Sequence, residues 1–266
     1  MLLKGKSVLI VGGSTGLGLS AAKACAANGA RLVLVGRKRE SLEAAQREID
    51  GEVTLVQGDA MESSTADQAV ASAVENFGRL DGLYHVAGGS GRRMGDGPLH
   101  EITDEGWDYT LRLNLTGLFY SNRAAVRQFL KQSSGGSILN MGSVLGQHPS
   151  PRYFSTHAYA ATKSAVLGYT KSIASYYAKD SIRANVLAPA LVETPMSQRA
   201  SEDDAILDFI RTKQPLAGGR NGRASDLDAA AVFFLSDGAA FVTGQSLFVD
   251  GGWSVSEGQI PPDAEE

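Results

Sequence analysis

Short apolar blocks alternate with longer stretches patterned at helical spacing along nearly the whole chain. Ser7-Val-Leu-Ile-Val11, Ala30-Arg-Leu-Val-Leu-Val35, Val53 to Gln57, Leu80 to Val86, Ser137 to Met141, Ile182 to Leu187 and Ser246 to Val249 read as strands, being brief, apolar and mostly rich in β-branched residues. Between them, Leu19 to Asn28, Glu40 to Ile49, residues 63–77, Trp107 to Lys131, residues 157–179 and Ala229 to Leu235 suit helices. Strands alternating with helical lengths predict a parallel sheet with helices on both faces and right-handed crossovers. The expected fold is α/β: a single doubly wound Rossmann-like domain over residues 1–256, with a parallel seven-stranded sheet flanked by helices on both faces. Residues 190–224 interrupt the alternation with Pro195, Pro215 and several glycines around one apolar helical piece, Ala205 to Ile210, and are expected to form a lid-like excursion. Residues 257–266, with prolines and acids, are expected to be a loose tail.

Composition narrows the function classes. The 266 residues are 43% hydrophobic and 20% charged, enough apolar content for a sizeable core. A net charge of −4 leaves no basic footprint, so nucleic acid is not an expected partner. The single cysteine, Cys25, falls inside a predicted helix, can form no internal disulfide and suits a reducing cytoplasm. Met1-Leu-Leu-Lys-Gly-Lys6 lacks the long apolar core of a signal peptide, and Val8 to Val11 is far too short to span a membrane. The expectation is a soluble cytoplasmic protein.

The candidate chemistry centres on Ser143 to Lys163. Tyr159 and Lys163 stand four residues apart on a predicted helix and so share a face, which places a phenol beside an ammonium. A free phenol titrates near pH ~10, and a fixed cation nearby favours the phenolate, so Tyr159 could move a proton at working pH. Ser143 ends the apolar run from Gly136, where a hydroxyl at a strand's carboxyl end can hold a substrate oxygen near that phenol. The alternative is an ordinary surface pair on an amphipathic helix.

A second cluster lies at the first strand–helix junction. Gly12-Gly13-Ser14-Thr15-Gly16-Leu17-Gly18 spaces glycines as G-x-x-x-G-x-G, letting backbone pass close to a pyrophosphate that would sit on the helix N-terminus. Tight turns also need glycine, so the motif alone is weak. Where a ribose-binding acid would end the second strand, the chain has Gly36 followed by Arg37-Lys38-Arg39. A guanidinium matches a 2′-phosphate in charge and geometry, which favours NADP(H) over NAD(H). The competing reading is a solvated charge cluster that opens a helix.

Taken together, these residues resemble the short-chain dehydrogenase/reductase family, in particular its 3-oxoacyl-[acyl-carrier-protein] reductase-like members, over nearly the whole chain. The likeness rests on the glycine motif, Asp59 after the third strand, Ala87-Gly88 after the fourth, and Asn114 in Asn-Leu-Thr-Gly. It continues through Ser143, Tyr159-x-x-x-Lys163, Asn185-Val-Leu-Ala-Pro189, Thr194-Pro-Met196 and Val249-Asp-Gly-Gly252. The resemblance implies catalytic roles for Asn114 (a relay water), Ser143 (the substrate oxygen), Tyr159 (the acid/base) and Lys163 (the nicotinamide ribose and the Tyr159 pKa). It implies cofactor contacts from Gly12, Ser14, Thr15, Gly16, Leu17, Gly18, Arg37, Lys38, Ala87, Gly88 and Pro189. Asp59, with Ala60 nearby, would meet the adenine amine, and Val192 and Thr194 the carboxamide. The chemistry implied is hydride transfer between NADP(H) and a ketone or secondary alcohol, with 3-oxoacyl thioester reduction as the narrower expectation. A nucleotide-binding regulator without turnover, and a related epimerase or dehydratase, stay open on the same residues.

Some positions depart from the pattern. Val11 stands where threonine is common, His85-Val86 replaces Asn-Asn so that polar support of the fourth strand is expected to weaken, and Ala190 replaces glycine. The interval from Ser143 to Tyr159 is long and carries Pro149, Pro151, Arg152, Tyr153 and Phe154; Tyr153, Phe154 and Met196 are candidate pocket walls. Arg92 and Arg93, on a glycine-rich loop after the fourth strand, either meet an anionic substrate group or are solvated. His85, His100, His148 and His157 show no metal spacing, and no metal is expected. Trp107 is expected to anchor its helix. Extra apolar positions (Leu111, Leu113, Leu118, Phe119, Val166, Tyr169 and Tyr176) on the helices near 107–131 and 157–179 are consistent with a homo-oligomer, dimer or tetramer.

Overall fold

A computed structural model describes residues 1–258. Its seven strands are β1 (Ser7–Val11), β2 (Arg31–Gly36), β3 (Val53–Gln57), β4 (Gly82–His85), β5 (Gly136–Met141), β6 (Ile182–Pro189) and β7 (Ser246–Val249). All pair in parallel in the order β3-β2-β1-β4-β5-β6-β7. The sheet is the expected doubly wound α/β fold, and the order reverses between β1 and β4. That reversal opens a crevice beyond the strands' carboxyl ends.

The helices are α1 (Gly16–Ala27), α2 (Arg39–Arg47), α3 (Ser63–Phe77), α4 (Asp104–Leu111), α5 (Gly117–Gln132), α6 (His157–Tyr177), α7 (Gln198–Ser201), α8 (Asp204–Lys213), α9 (Leu216–Gly219, a kinked turn) and α10 (Asp228–Leu235). β1 is buried at every position, because its alternate side chains feed two cores. Val8 and Ile10 pack with Ala22, Cys25, Leu42 and Ala231 from α1, α2 and α10. Leu9 and Val11 pack with Ala69, Ala125 and Ile173 from α3, α5 and α6. Burial pushes the Cys25 thiol up to about 12, with Asp228 adding to the shift, so it behaves as a small apolar residue.

Three expectations need correction. The helix read over Trp107 to Lys131 begins earlier, capped by the Thr103 hydroxyl accepting from Gly106 N–H at 3.0 Å, and a π turn at Arg112–Thr116 breaks it. The Asn114 amide donates to Thr110 O at 3.0 Å, the carbonyl that its own backbone N–H would take in a regular α-helix. Residues 190–224 hold α7 and α9 as well as α8, and α8 closes a separate core with Val144, Leu191, Ala200 and Trp253. His85 does keep a polar link to its neighbour helix: its Nδ1 lies 2.7 Å from Ser121 Oγ on α5. The tail expected from residue 257 lies, from 259 onward, outside the described residues.

Candidate active site

The β1–α1 turn borders one end of the crevice. Gly12 has φ +87°, and a Cβ there would come within 2.8 Å of Ala87 N; one on Gly18 would stand 2.0 Å from Gly12 O. Only glycine lets α1 start this close to β1 and β4. The turn borders a cleft of about 810 Å³, within the range of small-molecule and cofactor sites. Gly12, Ser14, Thr15, Gly16 and Leu17 line it, as do Arg37, Asp59, Ala60, Ala87, Gly88, Pro189, Val192 and Thr194. Gly18 and Lys38 do not: Gly18 is packed on the turn, and Lys38 stands at the start of α2. A long groove between a glycine turn and the β4–β6 ends fits an extended dinucleotide.

The other end lies where β5, β6 and α6 meet. Ser143, Tyr159 and Lys163 line the same cleft. Lys163, 2% exposed, donates from Nζ to Met141 O at 2.8 Å, and Nζ sits 5.5 Å from the Tyr159 ring centre. Burial brings the Lys163 ammonium down to about 8. The phenol moves the other way from the sequence expectation: burial pushes Tyr159 up, and only the Ser143 hydroxyl beside it pulls down. In the chain by itself the resting phenol is therefore protonated. Asn114 is buried outside the cleft lining, under its floor, bonding Gly89 through both its Oδ1 (3.0 Å) and its Nδ2 (2.8 Å).

The structure adds residues that the motifs did not reveal. Asp96, buried and more than sixty positions upstream, accepts from Ala158 N–H at 3.0 Å and Tyr159 N–H at 2.9 Å, one bond per carboxylate oxygen. Thr156, at the N-cap, makes no side-chain cap, so a distant acid does that work. Under the site, Asn140 on β5 exchanges hydrogen bonds of 2.9 and 3.0 Å with Asn122 on α5 and donates to Thr170 on α6 at 3.0 Å. His85, pushed down to about 3 by burial and by the Lys163 charge, is a neutral support of this floor. No pattern marks these side chains, because buried polar partners come from separate elements.

Of the candidate walls, Phe154 and Met196 line the cleft with Val144, Leu145 and Trp253, whereas Tyr153 turns away onto Phe209 at 5.3 Å. Arg92 and Arg93 border the cleft too. Of the helix positions expected to face a partner, Leu118 and Val166 are core, whereas Phe119 (37%) and Tyr176 (66%) are exposed. Trp107, expected as an anchor, is 40% exposed.

Residues 11–254 match a family model described as enoyl-(acyl carrier protein) reductase. A 2,5-dichloro-2,5-cyclohexadiene-1,4-diol dehydrogenase of Sphingobium indicum is 33% identical over 256 residues, covering 95% of this chain and 98% of the relative. The gluconate 5-dehydrogenase of Gluconobacter oxydans is 34% identical over 257 residues, 96% of each. The crystal structure of levodione reductase superposes with a TM-score of 0.86 at 31% identity, covering 95% of this chain and 98% of that one.

Proposed function

Because the chain belongs to the short-chain dehydrogenase/reductase family, oxidoreductases of alcohols and ketones that use a nicotinamide cofactor, we propose that it transfers hydride between NADP(H) and a ketone or secondary alcohol. The observation that carries the reading is the meeting of Tyr159, Lys163 and Ser143 in the cleft that the glycine turn also borders. A reduced nicotinamide, held beside Lys163, Pro189, Val192 and Thr194, would supply the hydride when bound. Tyr159 Oη gives its proton to the substrate oxygen as charge builds there, and Ser143 Oγ donates a hydrogen bond to the same atom. Lys163, aimed by Met141 O, offsets the phenolate left behind. A buried, protonated phenol suits that direction, since the acid form is the one at rest. Asn114, braced against Gly89, holds the cleft floor at the point where a relay to solvent would start.

The NADP(H) preference rests on Arg37, which lines the cleft beyond β2 and has no carboxylate within ion-pair distance among the described residues. Its neighbour Arg39 is paired with Glu43 instead. The test is NADPH absorbance with a panel of soluble ketones, 3-oxoacyl thioesters among them. Tyr159→Phe should lower kcat by roughly a hundred- to ten-thousandfold. Arg37→Ala should cut the NADPH-over-NADH preference in kcat/KM by roughly tenfold or more. Undiminished turnover by Tyr159→Phe overturns the mechanism; a wild type that favours NADH returns the cofactor to NAD(H), and an unchanged preference in Arg37→Ala removes Arg37 from the 2′-phosphate.

A further inference from the structure

The cleft is cationic in an acidic protein. Its charged lining comprises Arg37, Arg92, Arg93, Lys163 and Arg199 against Asp59 and Glu202, whereas the chain as a whole carries −4. Arg37 stands at the nucleotide end and Lys163 in the catalytic floor, so three guanidinium groups remain, of which Arg199 donates from Nη2 to Tyr153 O at 3.5 Å. Glu202 is already engaged by Gln198 at 2.9 Å, and none of the three arginines is within ion-pair distance of a carboxylate among the described residues.

These side chains come from two elements that are built firmly onto the site. Arg92 and Arg93 lie in a 3₁₀ turn, Arg92–Met94, entered at Gly91, where a Cβ would stand 1.9 Å from Thr110 Oγ1. Asp96 then ties the end of the loop to the first turn of α6, beside Tyr159 itself. Arg199 belongs to α7, which packs by Ala200 into the core of Val144, Ile206 and Trp253. That core is stiffened by edge-on contacts of Trp253 with Phe154 at 5.8 Å and Phe209 at 5.6 Å. Partial burial first, and then the nearby Arg199 charge, disfavour the charge of Arg92, while Asp96 favours it. Like charges held close by two separate scaffolds, with an apolar wall of Val144, Leu145 and Phe154 in the same cleft, leave a place for an anion.

We propose that Arg92 and Arg199, with Arg93 beside them, form a subsite for an anionic oxygen group, so that the preferred substrates are ketones whose apolar body ends in a carboxylate or a phosphate ester. The proposal rests on the oxidoreductase reading of the same cleft. Ion-paired hydrogen bonds of this kind contribute enough to change selectivity by roughly ten- to a hundredfold.

The test compares para-acetylbenzoate, para-acetylphenyl phosphate and methyl para-acetylbenzoate as substrates with NADPH. The wild type should favour one or both anions over the neutral ester in kcat/KM. Arg92→Gln and Arg199→Gln should each lower that ratio roughly tenfold or more, and added salt should lower it in the wild type alone. Which anion leads assigns the group as carboxylate or phosphate. Equal kcat/KM for all three compounds, or ratios unchanged in both variants, overturns the subsite. So does a rise in the NADPH Kd of the variants that matches the loss with the anionic ketones, since the arginines would then serve the cofactor. If no ketone is turned over, the oxidoreductase reading fails. Calorimetric binding of para-acetylbenzoate against its methyl ester, in the presence of NADP⁺, then decides the subsite by itself: a preference lost in Arg199→Gln upholds it, and equal binding overturns it.

Discussion

At the scale of single residues, the site depends on how burial treats two neighbouring titratable groups. Spacing alone placed Tyr159 and Lys163 on one helical face, and they share a cleft. Sequence pointed to a favoured phenolate, but the direction in which each group titrates is set by desolvation, with the Ser143 hydroxyl opposing it at Tyr159. The sign of the Lys163 shift is testable. An ammonium brought down to about 8 from 10.5 costs folding free energy below pH 8, where both the folded and the unfolded chain are protonated. Between those values the unfolded chain binds the extra proton, so stability rises with pH. Relative to Lys163→Met, the wild type should therefore recover about 3 kcal/mol as pH goes from 8 to 10.5, at 1.36 kcal/mol per unit. Paired denaturant titrations across that range check it; parallel pH curves for the two proteins would mean that Lys163 is not desolvated. His85 was legible only as a family departure and Asp96 not at all, since their partners stand on other elements.

At the scale of elements, α6 is the piece that must be aimed, and its aim comes from outside it. Its N-cap residue offers no side-chain bond, and Asp96 supplies two charge-assisted acceptors to its first turn. Asp96→Ala should cost about 1–2 kcal/mol in stability and lower kcat more than it raises KM, because the turn holding Tyr159 loosens. Asp96→Asn, which keeps one good acceptor, should recover part of both. Thermal unfolding together with steady-state kinetics reads the outcome; a loss of stability with kcat intact would make Asp96 a structural cap only. The long helix read over Trp107 to Lys131 shows the limit of periodicity at this scale. Apolar spacing runs through the break, and the π turn follows from one buried amide that bonds Thr110 O and both backbone groups of Gly89.

At the scale of the whole molecule, α4, α5 and α6 expose Trp107, Phe119 and Tyr176 together with Leu130. No helix among the described residues is long and apolar enough to cross a membrane. A second copy of the chain is the expected cover, so light scattering at micromolar concentration should give the mass of a dimer or tetramer. Phe119→Glu combined with Tyr176→Glu should shift it towards the monomer; a monomeric wild type would remove the expectation. The order of strands and helices, the parallel sheet and the junctions that carry Gly12, Ser143 and Tyr159 were determined by the sequence itself, because periodicity and glycine spacing are local properties of the chain. Only the tertiary structure decided that Asp96 caps α6, that Asn114 breaks its helix and that Arg92 and Arg199 line one cleft. Those relations join residues far apart in sequence, and burial, charge and hydrogen bonding between them exist only once the sheet has brought their elements to one edge.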